Sequence, residues 1–181
     1  MIEKPNREGF VIPAEKLPQS LKECFVSALQ FWTAGNHVAD LGGLHIAVGL
    51  WILALEELGK YVLLREARER QTTGVIEISI NDFRNHTKKS AMGQNFLLNE
   101  FGIDISQVGI PLTSKTREGL WYVAWDDSRH EFRRAFELLD PYAISKTRAL
   151  GELMRQGLVK MQDLQRNSSA VSVAQGIQSN V

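Results

Sequence analysis

The sequence holds a single cysteine, Cys24, among its 181 residues. One cysteine allows neither an intrachain disulfide nor a cysteine-based metal site within one chain. The four histidines show no HxxxH or HExxH spacing, and no glycine-rich phosphate loop or GxSxG elbow occurs. Nucleotide hydrolysis and α/β-hydrolase chemistry therefore have no support, and we expect no metal and no cofactor.

The chain also lacks an excess of charge of either sign. Lys plus Arg and Asp plus Glu number 21 each, so the formal net charge is zero. A protein that coats nucleic acid or an anionic membrane through bulk charge would be more basic, so any polyanion must meet a local patch. The first 20 residues contain no apolar signal region, and with the single cysteine this favours a cytoplasmic location.

No apolar run is long enough to span a membrane. The longest, from Leu44 to Leu55, covers about a dozen residues against the ~18–20 that a span requires, and Glu56 and Glu57 end it. A helix that is apolar on all sides is usually the central one of a bundle. We therefore expect a central bundle helix here and no membrane association.

The overall pattern predicts a mainly all-α fold, an up-and-down bundle of about four long helices. A first amphipathic helix is expected to begin between Leu17 and Ser20, and a last one to carry Asp140 as N-cap and Pro141 as its first residue. We divide the chain into an extended arm at 1–15, a single helical domain at 16–166 and a disordered tail at 167–181.

The middle of the chain is less regular. "VIEIS" is strand-like but too short to anchor a sheet alone, and a third helix is expected from Ser79 or Asn81 to about Glu100. Residues 101–116 are expected to form a loop. "REGLWYVAW" then predicts a small aromatic β-hairpin or loop insertion before the last helix, with "EFRRAFELL" as its return strand or a short helix.

Three charged residues follow the apolar run of the second helix. Glu56 and Lys60 are spaced i,i+4, and Glu57 and Lys60 i,i+3. Because Glu56 and Glu57 lie about 100° apart, one should face the bundle and the other should face away. The spacing fits an ordinary surface ion pair, and it also fits a carboxylate and an amine held at the edge of the core.

A basic segment follows Phe83 on the predicted third helix. Cations near a helix N-terminus oppose the helix dipole, so solvent screening or function must account for them. Histidine is the side chain most suited to proton exchange near neutral pH, although a histidine held by structural hydrogen bonds is commoner. The candidate residues here are Arg84, His86, Lys88 and Lys89.

These motifs together resemble the AbiV family of phage abortive infection proteins. "ALEELGK" looks like the family's second-helix signature, "FRNHTKK" like its phenylalanine and histidine followed by lysines, and "REGLWYVAW" like its arginine before a Gly-Leu-Tyr-Val-like segment. Order and spacing agree over roughly residues 17–165. The resemblance implies a HEPN-like helical domain, a group in which many members are dimers and many are RNases.

The resemblance also implies a function and a set of site residues. The function would be phage defence through action on RNA or translation, with a metal-independent ribonuclease as one mechanism. A non-catalytic helical dimer that binds a phage or host protein is the alternative. Glu57, Lys60 and His86 are the catalytic candidates. The candidates for RNA or phosphate binding are Lys89 and Arg117 from the resemblance, together with Arg84 and Lys88 of the basic segment.

One expected motif is absent. HEPN nucleases usually carry an arginine, four to six intervening residues and then a histidine, and no histidine here has an arginine at that spacing. A catalytic site would therefore have to be assembled from separate helices. We expect His86, Lys60 and Glu57 to approach one another, and a homodimer to cover the apolar second helix.

Overall fold

The computed structural model describes residues 9–70, 75–121, 123–126, 131–134 and 141–178. Within these ranges the chain is mainly helical, and four of its helices have 16 residues or more. This confirms the predicted all-α class. The elements in chain order are β1 (Gly9–Pro13), α1 (Leu17–Asp40), α2 (Leu44–Arg70), β2 (Val75–Ser79), α3 (Ile80–Arg84), α4 (His86–Phe101), α5 (Ser114–Trp121), β3 (Val123–Asp126), β4 (Glu131–Arg134) and α6 (Pro141–Gln178).

The second helix is the centre of the bundle. α2 packs against α1, α4, α5 and α6, and its residues from Ala47 to Leu64 supply much of the core. The indole of Trp51 lies between Gly35 of α1 and Gly151 of α6, where any larger side chain would meet it, and it donates a hydrogen bond to Asn36 Oδ1 at 3.0 Å. In the described part of the chain no helix is both long and apolar enough to cross a membrane.

A small sheet forms a second core beside the bundle. β1 and β2 pair antiparallel, from Gly9 opposite Ser79 to Pro13 opposite Val75. Ile76 and Ile78 point inward onto Leu17 and Leu64, while the alternate residues of β2 are exposed. Residues 9–13 of the expected extended arm thus form a strand, and "VIEIS" is stable because the arm pairs with it.

The third helix is broken where continuity was predicted. α3 ends at Arg84, Asn85 is extended (φ −75°, ψ 97°), and α4 begins at His86. Asn85 Oδ1 accepts a hydrogen bond from the backbone N–H of Lys88 at 3.0 Å, so Asn85 is the N-cap of α4. The predicted N-cap Ser79 is confirmed for α3, but the prediction of one continuous helix was wrong, because Asn85 ends α3 and caps a separate helix.

The segment before the last helix also differs from expectation. A 3-10 turn at Ile105–Val108 interrupts the expected loop, and α5 begins at Ser114. Thr113 Oγ1 accepts from the N–H of Thr116 at 3.2 Å, which caps α5. Arg117 is consequently helical, and the hairpin consists of β3 and β4, with Val123 opposite Arg134.

The last helix packs along α1 and α2. Leu150, Met154 and Met161 are buried, and Trp32 Nε1 donates a hydrogen bond to the carbonyl of Met154. The predicted N-cap Asp140 lies outside the described residues. α6 runs to Gln178, past residue 166, where we expected the helical domain to end and a disordered tail to begin.

Candidate functional site

A buried carboxylate joins three helices at the centre of the candidate site. Glu56 lies on α2 with only 4% of its side chain exposed. Its Oε2 lies 2.7 Å from Nδ1 of His86 on α4, and its Oε1 accepts a hydrogen bond from Arg117 Nη1 of α5 at 3.0 Å. A buried carboxylate is stable only with such partners, so Glu56 fixes the positions of both side chains.

Two glycines allow α4 to lie directly on α2. A Cβ at Gly59 would lie 2.0 Å from the carbonyl oxygen of Lys89, and one at Gly93 would lie 2.2 Å from that of Leu55. No side chain fits at either position, so the two backbones approach closely. This crossing brings the first turn of α4 next to the charged turn of α2.

A hydrogen bond extends this arrangement to α5. Ser90 of α4 is buried, and its Oγ donates to the carbonyl of Leu112 at 2.5 Å. Leu112 directly precedes the Thr113 cap of α5. The position of Arg117, one turn further along, therefore depends on α4 as well as on its own bond to Glu56.

The neighbouring carboxylate has a different partner. Glu57 Oε1 lies 2.6 Å from Lys60 Nζ, with 18% and 23% of the two side chains exposed. The structure thus selects the i,i+3 pair over the i,i+4 pair. Glu56 faces inward and contacts His86, whereas the family resemblance indicated Glu57 for that role.

Sequence reasoning missed Glu56 as a site residue, although one signal was present. Glu56 lies three residues before Gly59 and so shares the helix face on which a neighbouring helix approaches most closely. Glu57 lies two residues before Gly59 and therefore points away from that face. The glycine marks which carboxylate faces α4.

A buried lysine raises the positive charge of the site. Lys89 is buried in the first turn of α4, and burial lowers the pKa of its ammonium group, with nearby Lys60 acting in the same direction. The carboxylates of Glu56 and Glu57 oppose that shift. The ammonium groups of Lys60 and Lys89 lie 5.7 and 5.9 Å from the centroid of the Phe83 ring, a cation–π arrangement.

The other two predicted cations lie at the solvent-exposed edge of the site, which we call its rim. Lys88 is exposed and pairs with Asp82 at 2.8 Å, and Arg84 is exposed at the end of α3. Neither takes part in the bonds around Glu56. Five of the seven predicted site residues therefore fall in two groups: His86 and Arg117 on Glu56, and Lys60 and Lys89 at Phe83 with Glu57 paired to Lys60. Arg84 and Lys88 lie outside both groups.

The single cysteine borders this site. Burial raises the pKa of the Cys24 thiol to about 11, and the carboxylate of Glu57 adds to the rise. At neutral pH the group is thus a thiol and a poor nucleophile. Among the described residues no group of three or more His, Cys, Asp or Glu side chains is arranged to hold a metal ion.

The sequence of this chain fits one known family over most of its length. The family model for AbiV, a HEPN group, matches residues 16–169. The chain belongs to the AbiV family of HEPN-like abortive infection proteins. No curated protein and no solved structure matches the chain.

Within this AbiV protein, an arginine and a histidine contact the same carboxylate although they form no linear motif. Arg117 and His86 are separated by 31 positions, and each binds one oxygen of Glu56. The helix crossing and the Glu56 carboxylate thus bring together two side chains that are distant in sequence.

Proposed function

We propose that this AbiV protein defends cells against phage by cleaving RNA, with His86 as general base. The observation that carries the proposal is the state of His86. Half of its side chain is exposed (51%), and the buried Glu56 carboxylate holds its Nδ1. A carboxylate on one ring nitrogen fixes the tautomer and orientation of an imidazole, which leaves Nε2 to exchange a proton with substrate.

The proposed reaction is transfer of the RNA phosphate to its own ribose. His86 Nε2 takes the proton of the 2′-hydroxyl, and the 2′ oxygen bonds to phosphorus while the bond to the 5′ oxygen breaks. Lys60, held by Glu57, gives a proton to the leaving 5′ oxygen. The products are a 2′,3′-cyclic phosphate and a 5′-hydroxyl, and proton exchange with water restores both side chains.

Positive charge supports this reaction at the phosphate. Lys89 and Arg117 stabilise the charge that develops on the phosphate oxygens, and Glu56 stabilises the imidazolium that forms on His86. Arg84 and Lys88 at the rim attract the RNA backbone. RNA cleavage would stop translation in the infected cell, which requires a cytoplasmic protein.

A second candidate is a non-catalytic protein that binds a phage or host protein. The observation in its favour is that Glu56 and Glu57 already have cationic partners within the chain. Such a satisfied network also suits a purely structural role. The two candidates differ in whether an exposed atom of His86 is needed for protection.

We also propose a homodimer, on a different basis from the sequence argument. Leu41 and Ile46 lie near the α1–α2 turn and are 76% and 42% exposed. Contiguous exposed apolar surface marks protein contact sites, and in this proposal these two side chains supply it. The partner in this proposal is a second copy of the chain.

The test compares two histidine variants in phage plating and in RNA cleavage. His86→Ala is expected to lose protection, and the purified variant to leave RNA intact. His37→Ala is the matched control, because His37 is exposed and lies far from the site. It is near the α1–α2 turn, and Glu56 lies about 18 Å along α2 from that turn. Cleavage by the wild type should continue in EDTA and should stop on RNA with a 2′-deoxy substitution at the cleaved position.

The outcomes separate the two candidates. Loss of protection and of cleavage in His86→Ala alone supports the nuclease. Protection that survives in both variants, without RNA cleavage, removes the nuclease and leaves the binding protein.

A further inference from the structure

A cavity of about 510 Å³ adjoins the candidate site on the side of Phe83. It lies between β1, the start of α1 and the α2–α3 region. Its volume is in the range of small-molecule sites in proteins. Residues that line it include Ile12, Gln19, Glu23, Cys24, Leu64 and Phe83.

Phe83 connects the cavity to the cationic part of the site. The same ring that lines the cavity lies within 6 Å of the ammonium groups of Lys60 and Lys89. Lys16 also lines the cavity. A ligand with an apolar body in the cavity would therefore place an attached phosphate near positive charge.

Two polar side chains of the cavity lie on one face of α1. Gln19 and Glu23 are one helical turn apart, and the amide of Gln19 donates to the carboxylate of Glu23. A carboxylate accepts two parallel N–H donors well. Guanine presents such a pair on its Watson–Crick edge, whereas uracil offers one N–H there and adenine and cytosine offer only an amino group.

We propose that this cavity is a nucleobase subsite that binds a guanine of the RNA substrate, with Glu23 as the residue that selects guanine. The proposal rests on the RNA cleavage proposed above. The apolar walls hold the planar base, Glu23 accepts its N1–H and amino donors, and the phosphate lies toward Lys60 and Lys89.

The experiment measures binding to the full-length protein by calorimetry. The probes are guanosine 3′-monophosphate, uridine 3′-monophosphate, and two RNA pentamers that differ only in a central G or A. We expect the guanosine nucleotide and the G pentamer to bind more tightly than their counterparts. Glu23→Gln should weaken both by about tenfold, because a charge-assisted pair of hydrogen bonds is lost.

Glu15→Gln is the matched control. Glu15 is exposed in the turn before α1, does not line the cavity, and its substitution changes the net charge by the same amount. It should bind guanosine 3′-monophosphate as the wild type does. Thermal melting of both variants confirms that each is folded.

The outcomes distinguish this proposal from the nuclease. If His86→Ala abolishes cleavage while Glu23→Gln changes neither affinity nor base preference, the subsite is overturned and the nuclease stands. If guanine binding depends on Glu23 but no RNA is cleaved, the subsite stands and the nuclease fails. Binding of the free nucleotide without binding of the G pentamer overturns the assignment to RNA.

Discussion

At the scale of single residues, the two adjacent glutamates differ in what their removal would cost. Glu56 is buried, accepts a hydrogen bond from Arg117 and contacts His86. The side chain of Arg117 is only 14% exposed. Glu57 is partly exposed and holds one lysine. Removing one partner of a buried charge pair leaves the other charge without compensation, whereas a partly exposed pair is screened by water.

We predict that Glu56→Ala lowers the free energy of unfolding by about 3 kcal/mol. Glu57→Ala, the matched control one residue away, should lower it by no more than about 1 kcal/mol. Urea denaturation of the two variants and the wild type measures both values. Equal losses would contradict a central role for Glu56.

For Lys89 we predict the opposite effect on stability, because its positive charge is unfavourable in the folded state. Burial lowers its pKa, so the unfolded chain binds the proton more tightly than the folded chain does. The cost is fully present below the folded pKa and disappears as the pH rises toward the unfolded value. Lys89→Met should therefore be more stable than the wild type at pH 7.

The measurement is the unfolding free energy of both proteins between pH 7 and 10.5. The difference should shrink as the pH rises, and Lys89→Met should lose RNA cleavage despite its higher stability. Lys88→Met is the control, since Lys88 is exposed. A Lys89→Met protein that is less stable at pH 7 would show that its pairing with the carboxylates outweighs burial.

At the scale of elements, the crossing of α2 and α4 determines the site. Gly93→Ala would bring a Cβ to 2.2 Å from the Leu55 carbonyl oxygen, so the helices must separate. We predict a loss of about 2 kcal/mol in unfolding free energy, together with loss of the His86–Glu56 contact and of activity. Asn95→Ala, exposed on the same helix, should be neutral or slightly stabilising. Denaturation curves and RNA cleavage test this pair.

Elements defined by local pattern were predictable, and those defined by distant contacts were not. The start of α2 at Leu44 follows from its apolar run, and the start of α1 at Leu17 follows from apolar periodicity and proline placement. The pairing of Gly9–Pro13 with Val75–Ser79 depends on two segments more than 60 positions apart. No local pattern contains that information.

The same reasoning explains the errors near the site. The β-forming residues after Arg117 favoured a strand, but the Thr113 cap and the bond to Glu56 stabilise a helix there. Spacing alone restricted the inward carboxylate to Glu56 or Glu57. Only the position of α4, set by Gly59 and Gly93, decides between them.

At the scale of the whole molecule, the structure changes the argument for a dimer. The apolar second helix was expected to need a second subunit to cover it. Instead, its residues such as Trp51, Ile52 and Leu55 are fully buried within one chain. A dimer must therefore use residues that remain exposed, and the exposed apolar pair near the α1–α2 turn is the proposed surface.

This proposal predicts a homodimer at micromolar concentration that depends on Leu41 and Ile46. The double variant Leu41→Glu, Ile46→Glu should be monomeric by light scattering, because two carboxylates cannot be buried without partners. Its melting temperature at low protein concentration should match that of the wild type, since both side chains are exposed in the single chain.

Leu98→Glu is the control for this prediction. The Leu98 side chain on α4 is apolar and 44% exposed, and the variant should stay dimeric. A wild type that is monomeric at these concentrations would contradict the dimer, and a double variant that stays dimeric would place the interface elsewhere.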